Sequence, residues 1–230
     1  MNGGAMSSVA GAYDRPDSLS AQIYAALREG IIRGTYPQGA RLAEQRLATE
    51  LNVSRVPLRE AVPLLEVDGF LRTLPRRGAM VSSWTAKSAH ELFDLRLCLE
   101  VGAARYAARQ VAAGTSTDAL RTALRDAELG LRGDPYVVAQ QSTEFHEVIA
   151  DLSDNELMRT MMRSLAGRMM WLFYMTSDLD SIEAHQDHID ILAAIETGNE
   201  RLAESVAYAH IERDRRESIE VLQRRHLLND

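Results

Sequence analysis

Apolar residues recur at helical spacing from Leu19 onward: Ile23, Leu27, Ile31 and Ile32 share a face, Ser18 or Ser20 can cap its start, and Gly34 ends the run. That spacing predicts a helix of about four turns. The segment "YPQGARLAEQ" then supplies a Pro and Gly turn into a shorter helix running through Leu47 and Leu51. In "LNVSRVPLREAVPLLEVDGF", Asn52 stands where a tight turn needs a left-handed residue, which Asn tolerates better than most. Ser54 is a suitable N-cap, and Pro57 falls in the first turn of the helix that follows, where a missing N–H costs nothing. That helix begins at Arg55, buries Leu58, Val62 and Leu65, and stops at Gly69, while Arg55 and Arg59 project elsewhere. Pro63 interrupts it, where the ring collides with the carbonyl of Arg59 and one backbone bond is lost at a cost of roughly 3 kcal/mol, so a kink is expected. Next, "FLRTLPRRGAMVSS" alternates apolar and polar residues on both sides of "PRRG", which predicts two short strands joined by a basic turn.

Beyond Trp84 the pattern changes. In "TAKSAHELFDLRLCLEVGAARYAARQVAAG" apolar residues keep helical spacing through Leu92, Leu95, Leu99 and Val101 to Ala107. The segments near 116–132, 134–152, 155–176, 180–197 and 200–227 read the same way, separated by Gly114, Gly133, "SDNE", "SDLD" and "TGNE". About six helices by this count of breaks predict an antiparallel bundle. Two short helices joined by a tight turn, the second carrying arginines at its start and followed by a basic hairpin, describe a winged helix-turn-helix. The chain is therefore expected to be mainly α, with a mobile tail over residues 1–17, a winged helix-turn-helix domain over 18–84 and an all-helical domain over 85–230, the boundary falling at "SSWTAKS".

Composition narrows the classes. A chain of 230 residues, 46% hydrophobic and 26% charged, has room for two ordinary globular cores. One cysteine, Cys98, excludes an intramolecular disulfide framework and any CxxC knuckle, and is expected to be a small core residue. The first residues lack a basic n-region and a long apolar stretch, and no later segment approaches 18 uninterrupted apolar residues, so a cytoplasmic chain with no membrane partner is expected. The net charge of −7 is unevenly spread: residues 1–84 carry 10 basic against 8 acidic side chains, and residues 85–230 carry 16 against 25. Only the N-terminal part is a candidate for touching a polyanion.

The bundle holds the chemistry. His188 lies ten residues before Gly198 and His210 twelve after it, so at 1.5 Å rise each stands roughly 15 to 18 Å from the turn, nearly level in a helical hairpin. His146 supplies a third imidazole from the preceding helix pair, and three imidazoles on rigid helices with open positions suit Zn²⁺ or Ni²⁺. His90 and His226 have no such relation and read as surface residues. Ser142 shares a helical face with His146, whereas Glu144 stands about 200° round the helix from Ser142. His185, one turn before His188, is the other side chain able to move in. The run "MRTMMRSLAGRMMWLFYM" places six methionines and Trp171 on one helix, mainly as core and cavity lining.

Two resemblances carry these readings further. Residues 19 to 83, through "RLAEQRLATELNVSRVPLREAVPLLEVDGFLRTLPRRGAMV", resemble the winged-helix domain of GntR-type bacterial transcription regulators. This implies that Ser54, Arg55, Val56, Pro57 and Arg59 face the major groove and its phosphates, and that Arg76, Arg77 and Gly78 form a wing tip near the minor groove. Gln45 stands where some relatives have an arginine that contacts DNA. The second half, through "FDLRLCLE", "EFHEVIADLSDNELM", "HIDILAAIETGNE" and "AHIERDR", resembles the FCD-type ligand-binding domain of the FadR subfamily. In that subfamily a cavity takes small organic acids, often beside a divalent metal held by an aspartate and three histidines. The resemblance makes His146, His188 and His210 the metal ligands and places Ser142 where the family has its aspartate. It assigns Arg96 to the effector carboxylate, and the helical placement of Ser142 and His185 beside the histidines makes them further effector-side candidates. A metal-free pocket in which the histidines bind the effector directly is the alternative. The expected function is a homodimeric repressor or activator that binds a palindromic double-stranded operator under the control of a small organic acid. The competing class is a hydrolytic enzyme whose three-histidine metal activates water, but no nucleophile motif or phosphate-cradling glycine loop accompanies it.

Overall fold

The computed structural model of the protein describes residues 18–74, 78–177 and 181–229. It divides into two compact units, the first running through Ser82 and the second beginning at Ser83. In the first, α1 (Leu19–Ile32) buries Ile23, Leu27, Ile31 and Ile32, and the Ser18 side chain accepts the Ala21 N–H at 3.1 Å. A short strand, β1 (Arg41–Leu42), leads to α2 (Glu44–Glu50), the turn at Asn52 with φ of 52°, and α3 (Arg55–Val67). Ser54 holds the extended N-cap conformation, yet its hydroxyl makes no capping bond.

The buried face of α3 is Pro57, Leu58, Ala61, Leu64 and Leu65, with Val62 only half-buried. Pro63 does not end the helix, which continues to Val67. The ring is exposed, so its cost is confined to the backbone while Leu64 and Leu65 keep the following turn in the core. The wing strands are β2 (Leu71–Leu74) and β3 (Gly78–Val81), paired antiparallel with Leu71 opposite Val81 and Leu74 opposite Gly78. The sheet has the order β1-β3-β2, its third member arising where Arg41 and Leu42 pair with Met80 and Ala79. Two residues are too few to display alternation, so β1 left no mark in the pattern. Arg76 and Arg77 lie outside the described residues.

The second unit comprises, among the described residues, six helices: α4 (Ala86–Ala112), α5 (Asp118–Gly130), α6 (Pro135–Leu152), α7 (Glu156–Met175), α8 (Ser181–Glu196) and α9 (Glu200–Arg224). Local signals fix their starts. Thr85 and Ser88 form a capping box for α4, Asp134 caps α6 with Pro135 behind it, and Asn155 and Asn199 cap α7 and α9. The α8–α9 connection turns on Gly198 at φ 68°, a left-handed position, where an added Cβ would also stand 3.0 Å from that of Ala112. Helix α4 packs against α9 and α6 and also meets α7 and α8, making it the axis of the bundle.

The face that α4 buries differs from the expected one. Leu92, Phe93, Ala103, Ala104, Ala107 and Ala108 point inward together with Arg96 and Glu100, while Leu95 is 42% exposed and Cys98 is exposed rather than a core residue. Four of the six methionines on α7, namely Met162, Met169, Met170 and Met175, are buried, as is Trp171. Among the described residues no helix is long and apolar enough to cross a membrane.

Candidate functional site

On the first unit, α2 and α3 present Gln45, Ser54, Arg55, Val56 and Arg59 to solvent. Val56, 66% exposed, gives that face an apolar contact of the kind a thymine methyl accepts. Pro57 is different: it is buried beside Leu58, because its place on the first turn puts it on the same side as Ala61. It shapes the helix start and is not part of the exposed face. Glu44, which pattern reading passed over, accepts from Arg59 Nε at 3.0 Å and lies 3.4 Å from an Arg55 terminal nitrogen. All three are exposed, so the pairs add little stability, but they hold both guanidinium groups over one patch. Gly78 opens β3 at φ 79°, exposed and opposite Leu74.

In the second unit α6, α8 and α9 bring His146, His188 and His210 together. Their ring centroids are 5.0, 5.4 and 5.2 Å apart, a nearly equilateral triangle. One nitrogen from each lies within 4.8 Å of the others, and all three side chains are buried. Glu100 Oε2 stands 2.8 Å from His146 Nδ1, and Asp187 Oδ2 stands 3.2 Å from His210 Nδ1. Each carboxylate fixes the proton on Nδ1 and leaves the Nε2 lone pair free. Both Nε2 atoms are buried without a hydrogen-bond partner among the described residues. His188 stacks on Phe145 at 4.4 Å between centroids.

Burial lowers the pKa of His146, opposed by Glu100, and burial together with the neighbouring imidazoles places His188 well below the ordinary histidine value. Both shifts favour the neutral form, in which imidazole binds metal. Orphaned Nε2 atoms on carboxylate-oriented rings are what a divalent ion requires, so these residues fit one, with His146 Nε2, His210 Nε2 and a His188 nitrogen as donors.

The triangle forms part of the wall of a cavity of about 110 Å³, together with Ser142, Arg213 and a set of carboxylates. Ser142 is half-buried there, and Glu144 is exposed on the far side of α6. His185 does not join them: it is buried, its Nδ1 has no partner among the described residues, and it contributes nothing to the wall or to the histidine group. His90 and His226 are exposed.

Arg96 also departs from its expected place. It is fully buried and off the cavity wall, its Nε 2.6 Å from Glu100 Oε1, one terminal nitrogen bonded to Asp214, and its plane between Phe93 and Phe173. Its guanidinium is committed to two carboxylates and reaches the histidines only through Glu100. Burial pushes the Glu100 carboxyl up, but Arg96 and His146 more than offset this and hold it well below the usual carboxylate range. Arg213, which does line the cavity, is bonded to Asp187. Glu100, Asp187, Asp214 and Arg213 went unnoticed in the sequence. Three of them had a signal there: Glu100 stands four residues after Arg96, and Arg213 and Asp214 stand three and four residues after His210, each on the same helical face as its partner.

Comparison with known proteins agrees with both units. Residues 19–81 match the bacterial regulatory proteins of the gntR family, and residues 91–213, more than half of the chain, match the FCD domain. The chain is 27% identical over 205 residues to the HTH-type transcriptional regulator YdhC of Bacillus subtilis (strain 168), covering 87% of this chain and 91% of that one. It is 29% identical over 192 residues to the Nta operon transcriptional regulator of Aminobacter aminovorans, covering 80% and 87%. The gluconate operon transcriptional repressor of Bacillus licheniformis is 40% identical over 83 residues, covering 36% of this chain and 34% of that one. Among solved structures, a GntR transcriptional regulator from Rhodococcus sp. RHA1 has the same fold with a TM-score of 0.73 at 24% identity, covering 87% of this chain and 97% of that one. The exposed helix-turn-helix face and the histidine-walled helical domain thus have one home: the chain belongs to the GntR family of transcriptional regulators, in the group that carries an FCD domain, and it is a regulator, not an enzyme.

Proposed function

We propose that the protein is an operator-binding repressor whose DNA affinity is set by a small effector bearing a carboxylate, held beside a divalent metal at His146, His188 and His210. The observation that carries this reading is the pair of buried, partnerless Nε2 atoms converging with His188 on one wall of a cavity. The metal, Zn²⁺ or Ni²⁺ by its donor set, supplies a Lewis-acidic anchor for an effector oxygen. The chain's own residues do the rest. Glu100 and Asp187 aim the rings, Phe145 braces His188, and Ser142 leaves the adjacent wall neutral and open.

DNA recognition is assigned to Gln45, Ser54, Arg55, Val56 and Arg59, since an arginine fork binds guanine O6 and N7, or a phosphate, in two bonds. Repression follows the gluconate operon relative, which matches over the DNA-binding region. A homodimer on a palindromic operator is part of the proposal, with exposed Leu95 on α4 and Leu157 and Met161 on α7 as apolar contributors to the interface. The site of action is the cytoplasm, where the operator is. The test is a gel shift on DNA from the chain's own upstream region, repeated across salt, with chelated and zinc-restored protein. Binding indifferent to DNA sequence would overturn the operator reading, and zinc content that stays at zero after restoration would overturn the metal reading.

A further inference from the structure

The cavity is walled unevenly in charge. Besides the histidines it is lined by Glu183, Asp187, Asp214 and Glu217 against one guanidinium, that of Arg213. Arg213 is bonded to Asp187, and Asp214 is bonded to Arg96 and to the Ser218 hydroxyl. Two carboxylates are not bonded to another group of the wall, the exposed Glu183 and the half-buried Glu217. Glu217 has an ion pair with its exposed neighbour Arg216 at 3.5 Å, and Glu183 forms none among the described residues.

Their placement is directional. Glu183 precedes His188 by five residues on α8, and Glu217 follows His210 by seven on α9. His188 and His210 meet across the Gly198 turn, so the two helices run in opposite directions and both displacements point the same way. At 1.5 Å rise they amount to roughly 8 and 10 Å. The cavity therefore has a histidine end, where buried Nε2 atoms await a ligand, and a carboxylate end farther from the turn. A second carboxylate on the effector would meet Glu183 and Glu217 there with no uncommitted cation to receive it. An ammonium would meet two acceptors.

We propose that the effector is two-ended, an alkylamine carboxylate whose anionic group is taken at His146, His188 and His210 and whose cationic group is taken by Glu183 and Glu217. This rests on the metal-anchored reading of the histidine end and adds the opposite end and the chemical class. An axial separation of roughly 8 to 10 Å between the two ends calls for a short alkyl chain between the two groups.

Three probes of equal carbon number separate the classes: 5-aminopentanoate, pentanedioate and pentanoate, titrated calorimetrically into the zinc-restored full chain. The expected result is that 5-aminopentanoate binds about tenfold or more tighter than pentanedioate. In the Glu183→Gln, Glu217→Gln double variant that preference is expected to fall to about threefold or less, with zinc content unchanged. Glu217→Gln alone, a change at one half-buried position, should lose part of the preference and serves if the double variant folds poorly. Pentanedioate binding as tightly as the amino acid, no binding of any probe, or a preference that survives the double variant would each overturn the proposal. Zinc measured in the same samples separates the two readings. A chain that prefers 5-aminopentanoate without holding zinc keeps the two-ended pocket and loses the metal, and a zinc-bound chain that prefers pentanedioate does the reverse.

Discussion

The two units of this chain place their decisive charges in opposite environments. On the winged helix, Arg55, Arg59 and Glu44 pair with one another near the starts of α2 and α3 and stay open to solvent. In the helical unit, Arg96, Glu100 and His146 are buried and form a chain of contacts, from Asp214 on α9 through α4 to α6. An exposed residue acts through the group it touches, so removing it costs a contact and little else. A buried charge is tolerated only because its partners are in place, so removing one leaves the others uncompensated.

That contrast is open to breakage. The largest expected effect is in the buried set: His188→Ala should abolish zinc binding outright, read as metal per chain after dialysis with and without chelator, because two imidazoles leave too few donors. A variant that kept its zinc would mean that the triangle is not the metal site. Next, Arg96→Ala should destabilise the protein by about 3 to 5 kcal/mol in denaturant unfolding, since Glu100 and Asp214 would be left without their cation.

The same pair sets an acid limit. Because the folded-state pKa of Glu100 is depressed, its stabilisation is present above its unfolded value of about 4.3 and is lost as pH falls from there toward the folded value. Parent stability should decline through that window, and Arg96→Ala should decline less steeply. Equal slopes would mean that Glu100 does not carry the acid sensitivity.

In the exposed set, Arg59→Ala should weaken operator binding by about 1 to 3 kcal/mol and leave the unfolding curve unchanged. A fall in stability as large as that of Arg96→Ala would erase the distinction between the two units. The smallest effect sharpens the comparison within the cavity. Ser142→Asp places a carboxylate on the face of α6 that carries His146, and should raise zinc affinity about tenfold, or 1.4 kcal/mol, in a competition titration. No change in affinity would show that position 142 stands too far from the ion to serve it.

The two units also differed in how far they could be read in advance. In the winged helix each instruction is local: Ser18 caps α1, Asn52 takes the left-handed turn, and Gly69 ends α3 at φ 78°. Local chemistry of this kind survives translation into structure, whereas the facing of single side chains on α3 does so less well: Pro57, expected at the groove, is buried, and Val62, expected in the core, is half-buried. In the bundle the breaks at "SDNE" and "TGNE" were equally legible, and the structure adds Asn155 and Asn199 as the caps within them, but the face of α4 was not legible. Hydrophobic spacing favoured Leu95 and Leu99, whereas the helix turns Arg96 and Glu100 inward and leaves Leu95 outside. A pattern that treats charge as a sign of exposure fails where charges neutralise one another inside. Arg96, which the family resemblance assigned to the effector carboxylate, is instead buried off the cavity wall, and Cys98, expected in the core, is exposed.

What the sequence determined alone was therefore what near neighbours set: the approximate extent of the helices, the turns and the arginine-bearing start of α3, together with the near-level placing of His188 and His210, ten and twelve residues from Gly198. Tertiary structure alone decided which side chains share a space. It set Glu100 against His146, Asp187 against His210 and Asp214 against Arg96, and it gave the cavity one histidine end and one carboxylate end. The reason is physical. A cap or turn is a bond between near neighbours in the chain, whereas a buried charge takes its partner from whichever helix packing brings within about 3 Å, and sequence separation says nothing about that distance.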